Sequence, residues 1–167
     1  MIQSKKFWKF IYTIISLIGI GMLVYGIVLY ELTLINEYLL LLGIIIFSIP
    51  LYFFIRNHYA NLYDVSKYFY PFCVSITSAG FISVTIFLML NFHFANKDII
   101  NDYDLIIREK GILGGRGRTP YAVVNIENKR KNILFPKGEI IRLNNRVYLK
   151  TIKGLFGFEV IVEKKIK

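Results

Sequence analysis

Charge is what the first half of this chain lacks. Residues 1–92 hold five Lys/Arg and three Asp/Glu, whereas residues 93–167 hold sixteen and eight. Over all 167 positions 19% of residues are charged, 55% are hydrophobic and the mean hydropathy is +0.50. A water-soluble domain of this size carries more charge than that, so the shortage points to membrane insertion. Cysteine is also scarce. Cys73 stands alone inside an apolar run, which excludes an intramolecular disulfide and a cysteine-rich metal centre and leaves a small apolar residue in a helix.

Catalytic patterns are missing too. The chain contains no H-E-x-x-H, no G-x-S-x-G and no phosphate-loop G-x-x-x-x-G-K-[ST]. Its C-terminal part has two threonines, Thr119 and Thr151, and neither serine nor cysteine. The carboxylates Glu109, Glu127, Glu139, Glu159 and Glu163 show no spacing that marks acid–base work. His93, Asp98 and Asp102 fit one helical face poorly as metal ligands, and solvation of a helix end explains them better. No enzyme activity, cofactor or metal is expected.

What is present in the first half is long apolar runs. They cover about residues 10–30, 38–55 and 69–91, and roughly 20 helical residues cross a hydrocarbon core about 30 Å thick. Lys5, Lys6 and Lys9 resemble the basic start of a signal peptide. The run that follows is longer than a signal's apolar region and no A-x-A-like site follows it, so a retained helix is expected. Pro50 should kink the second span toward its far end, and Pro71 suits the first turn of the third.

No ionisable residue lies mid-span, which argues against a self-contained pump, transporter or voltage sensor. Ser75, Ala79 and Ser83 recur in steps of four with Gly80 beside them, while Gly19 and Gly26 are a heptad apart. Small residues in such rows let helices approach closely. They are read as packing within a three-helix bundle, with a homo-oligomer seam as the sharper alternative.

Flanking bases set the orientation. Lys5, Lys6 and Lys9 precede the first span, and Arg56 and Lys67 lie in the second connection, whereas the first connection has only Glu31 and Glu37. The positive-inside rule then puts the N-terminus in the cytoplasm and the C-terminal domain outside. Phe7, Trp8, Phe10 and Tyr12, with Tyr52, Phe53 and Phe54 and with Tyr68, Phe69, Tyr70 and Phe72, form an interfacial belt at one membrane face. The bias toward Ile, Lys, Asn, Phe and Tyr is associated with AT-rich bacterial genomes, and the expected location is a bacterial cytoplasmic (inner) membrane.

Residues 93–102 are read as a juxtamembrane linker, and from Tyr103 the apolar period becomes two. Strands are expected near 103–108, 121–127, 133–135, 147–152 and 158–163, with a short one at 139–143. Glycines 111, 114, 115 and 117 are read as breaks. The fold class is therefore membrane α-helical with three transmembrane helices, plus a C-terminal all-β domain over 103–167. About five antiparallel strands would make a curled sheet or open barrel. The stretch GGRGRTPY at 114–121 is a basic turn between strands, because Pro120 and a Val-rich run follow where a phosphate site needs a helix.

The expected function is non-catalytic binding, as an accessory subunit or an immunity-type protein. Arg108, Arg116, Arg118, Lys129, Arg130, Lys131, Arg142 and Arg146 would meet an acidic protein or anionic envelope component. Outside the cytoplasm, nucleic acid is a poor partner. The lipid bilayer is a partner throughout. The alternative is a homo-oligomeric channel or scaffold assembled through the helices.

Overall fold

A computed structural model of the chain describes residues 2–113, 119–126, 129–136 and 146–166, with side chains from residue 5 onward except that of Lys129. The chain divides into two compact units, Met1–Leu29 with Asn36–Met89, and Tyr30–Ile35 with Leu90–Lys167.

The first unit is helical. Helix α1 is Ile2–Glu31 and α2 is Glu37–Tyr63; the third rod consists of α3 (Phe69–Ser75), a π-helical turn (Ile76–Gly80) and α4 (Phe81–His93). All three rods are long and apolar enough to cross a membrane. The Asn36 side chain caps α2 by accepting from the Tyr38 N–H at 2.9 Å. Helix α2 runs on through Pro50, and past the apolar run, until Asp64 takes a left-handed conformation (φ 54°) and closes it.

Glycines set the approach of the rods. A Cβ on Gly19 would lie 1.5 Å from the Thr77 carbonyl oxygen, and one on Gly26 would lie 2.6 Å from Thr85 Oγ1. Thr85 in turn donates to the Met22 carbonyl at 3.0 Å. Gly80 lies against Ser48 and Ile44 of α2. These small residues therefore pack helices of one chain against each other.

The π turn changes which residues share a face. It accommodates an extra residue per turn, so the row that follows Ser75 is Gly80, Val84 and Leu88, all buried. Ala79 and Ser83 are only half-buried. The expected Ser75/Ala79/Ser83 row assumed an unbroken α-helix and is corrected accordingly.

Aromatic rings gather where α1 begins and α2 ends. Trp8 meets His58 edge-on at 5.1 Å between ring centroids, and the Tyr12 hydroxyl bonds His58 Nδ1 at 2.9 Å. Lys9 lies 4.9 Å from the Tyr63 ring centroid. These are the amphipathic side chains that a membrane–water interface favours, and His58 joins them.

The second unit holds six strands: β1 (Asn96–Ile106), β2 (Glu109–Leu113), β3 (Thr119–Ile126), β4 (Lys129–Leu134), β5 (Arg146–Lys153) and β6 (Glu159–Ile166). They form two open antiparallel sheets, ordered β1-β5-β6 and β2-β3-β4, and not a barrel or a single curled sheet. The chain leaves the first sheet after Ile106, runs through β2–β4, and returns at β5. Both sheets contribute to one core of Ala122, Val124, Ile126, Ile133, Phe135, Val147, Leu149 and Ile161.

Three expectations change here. Most of 93–102 is strand β1 and not linker, because Asn101 and its successors pair with β5. Asp98 and Asp102 thus lie on a strand, about 13 Å apart at strand rise, and not on a helical face. Gly111 lies inside β2 opposite Tyr121, whose ring covers it closely enough that a Cβ would come within 2.9 Å. The short strand expected at 139–143 lies outside the described residues, as do the GGRGR glycines 114, 115 and 117.

Candidate binding surface of the β domain

Of the eight basic residues singled out by sequence, four have described side chains: Arg108, Arg130 and Arg146 are exposed and Lys131 is buried. Arg116, Arg118 and Arg142 lie outside the described residues, and of Lys129 only the strand backbone is described. Arg108 is exposed at the bend between β1 and β2, its N–H bonded to the Val123 carbonyl at 2.9 Å. Arg130 pairs with Glu109 at 2.5 Å, and Arg146 with Asp104 at 3.2 Å, all four well exposed. Glu109 stands opposite Val123 and Arg130 opposite Asn125, so their bridge crosses β3 over the buried Val123. Exposed pairs of this kind contribute about 0–1 kcal/mol each.

Lys131 is the exception, because it lies within a strand and not between the strands expected near 121–127 and 133–135. Strand β4 begins at Lys129, so Lys131 alternates onto the inner face with Ile133, opposite Val124. Its side chain is 8% exposed. Nζ donates to the Tyr30 carbonyl at 2.8 Å and the Thr33 carbonyl at 2.9 Å, and lies 3.8 Å from the Tyr30 ring centroid. An ammonium here adds a charged donor to two carbonyls that also accept the Thr33 and Ile35 N–H groups, and it meets the negative end of the helix dipole. It holds the α1–α2 connection and is no contact for a partner.

That connection is itself part of the β domain, which sequence reasoning missed. Thr33 bridges Val160, the Leu34 N–H donates to the Glu159 carbonyl at 2.8 Å, and the Ile161 N–H donates to the Leu32 carbonyl at 2.7 Å. Leu34 packs on the core. Strand β6 lies at the edge of its sheet, so this segment covers an otherwise open row of backbone groups.

Glu159, one of the carboxylates of the C-terminal part, has the surroundings of a fastener. Asn101 Nδ2 and the Tyr103 hydroxyl donate to Oε1 at 2.5 and 3.0 Å, and Thr151 Oγ1 donates to Oε2 at 3.0 Å. Neutral donors from β1 and β5 thus occupy both oxygens of a residue on β6. The outer face of this sheet is a charged lattice. Asp102 accepts from the Tyr148 hydroxyl at 2.7 Å, which raises the phenol's pKa above its ordinary value. Glu163 is held below the usual carboxylate range by its hydrogen bond from Lys165. Among the described residues no group of three His, Cys, Asp or Glu converges as metal ligands would.

The fold and these surfaces define a class: a multi-pass membrane protein, three candidate spans in length, carrying an antiparallel β region. Comparison with protein-family models, curated proteins and solved structures returned no match.

Proposed function

We propose that this chain is a non-catalytic membrane protein whose β domain, outside the cytoplasm, binds an acidic protein or an anionic envelope component. It would act as an accessory subunit or an immunity-type protein of the bacterial inner membrane. The observation that carries this reading is the charge excess of residues 93–167, sixteen bases against eight acids. Internal pairing cannot cancel it. The pairs at Arg130, Arg146 and Lys165 each consume an acid with a base and leave the difference intact. Such an excess steers acidic partners toward the domain.

The side of the membrane is supported by two facts. The α1–α2 connection belongs to the same unit as the strands, which supports a placement of both on one side, as an odd number of spans requires. That connection lacks Lys and Arg, whereas the N-terminus and the α2–α3 connection carry them. A homo-oligomeric channel is the weaker reading, since Gly19, Gly26 and Gly80 already face helices of their own chain.

The test is co-purification from native membranes, comparing the natural chain with a triple variant, Arg108→Glu, Arg116→Glu and Arg118→Glu. An acidic partner should be retained by the first and lost from the second, with the loss mimicked by raised salt. Equal recovery from both would remove the basic surface from the account.

A further inference from the structure

The connection between β5 and β6 reads Gly154, Leu155, Phe156, Gly157, Phe158, and its apolar side chains point outward: Leu155 is 53% exposed and Phe156 46%. A loop in water would be polar there. The loop is also bonded to itself. The Gly157 N–H donates to the Gly154 carbonyl at 2.9 Å, the Gly154 N–H donates to the Phe158 carbonyl at 3.0 Å, and Gly157 takes a φ of 84°.

What holds this loop in place is Asn91, in the last turn of α4 and fully buried. Its Nδ2 donates to the Phe158 carbonyl at 3.0 Å, and its Oδ1 accepts from the Phe156 N–H at 3.0 Å. Its backbone carbonyl accepts from the Leu155 N–H at 3.3 Å. Gly154 packs on the same amide, where a Cβ would come within 2.3 Å. Both polar atoms of the Asn91 amide are thus bonded to the loop.

We infer that residues 154–158 are an interfacial membrane anchor, with Leu155 and Phe156 seated among the lipid chains beside the end of the third span. The level follows from Asn91. The third candidate span is Phe69–His93, so Asn91 lies two residues, about 3 Å of helical rise, from its end. A loop bonded to that turn lies at the headgroup–acyl boundary, where apolar side chains are buried to about 5–10 Å. Phe94, three residues after Asn91, is exposed as well. The occupant is lipid because the loop is hydrogen-bonded to Asn91, a residue of the last turn of a candidate span.

Spin-label accessibility tests this in the full-length chain with Cys73→Ser, reconstituted in vesicles of phosphatidylcholine and phosphatidylglycerol. A nitroxide is placed at Phe156→Cys or, separately, Leu155→Cys, with exposed Lys165→Cys as reference. At both loop positions the ratio of collisions with oxygen to collisions with a water-soluble nickel chelate should exceed the reference severalfold. A ratio equal to that of Lys165→Cys places the loop in water and overturns the inference. Exclusion of both reagents means that protein, whether this domain or a second copy, covers the loop, and overturns it equally.

Discussion

Replacing Lys131 by alanine is expected to cost the fold about 3 kcal/mol, whereas Arg130→Ala, one position away, should cost under about 1 kcal/mol. The two side chains differ in what they touch. Arg130 and Glu109 meet in water, where desolvation is slight and the gain is slight as well. Lys131 is buried and donates charge-assisted bonds to two carbonyls, Tyr30 and Thr33, in a space closed to solvent, and its loss leaves each with only a backbone N–H donor. Charge-assisted bonds to such groups contribute about 1.5–3 kcal/mol each. For a unit of this size the loss corresponds to a melting shift on the order of 10–20 °C. Thermal unfolding of the purified variants in detergent checks the ranking. Equal shifts for the two variants would mean that Lys131 is a surface residue after all.

The second large effect is expected at Gly19. Gly19→Leu should prevent recovery of monodisperse protein from detergent, because its Cβ would lie 1.5 Å from a backbone oxygen, Thr77 O. A side chain can rotate away from a clash. A helix backbone yields only by moving the whole rod, at a cost above the about 1–3 kcal/mol usual for overpacking. Gly21→Leu is the matched control, since a Cβ there has nothing within 4 Å. It should behave as the natural protein in size-exclusion profile and melting. Gly26 falls between them: its neighbour, Thr85 Oγ1, can turn, but only by giving up its bond to the Met22 carbonyl.

The helical part was the most legible in the sequence. Three uncharged runs of sufficient length allow few other structures, because a membrane requires every backbone group to be paired within the segment. What could not be read was the phase of the third rod. Steps of four from Ser75 presume an α-helix throughout, and the π turn at Ile76–Gly80 inserts a residue without any proline or charge to announce it.

The β domain was legible where alternation was strong, as in β3 and β5, and opaque where a local rule was overridden by a distant partner. Gly111 looked like a break because the ring that covers it, Tyr121, comes from the next strand. Lys131 looked like a surface base because what it caps lies about a hundred residues earlier in the chain, at Tyr30 and Thr33. One signal was available. The stretch Lys129-Arg130-Lys131-Asn132-Ile133-Leu134 puts Lys131 in step with Ile133, and the period of two places them on one face. The short apolar stretch Leu32–Ile35 between two spans was a second, since a plain membrane loop has no need of it. Asn91, the polar residue nearest the end of the third run, was a third.

The account rests most heavily on the β domain and the α1–α2 connection sharing the outer side of the membrane. A single cysteine at Lys165 in the Cys73→Ser background, probed with a membrane-impermeant maleimide on intact cells, addresses this directly. Lys165→Cys should be labelled before the cells are opened, and Lys5→Cys only afterwards. Labelling of Lys165→Cys that appears only after lysis would put the domain in the cytoplasm and contradict the account.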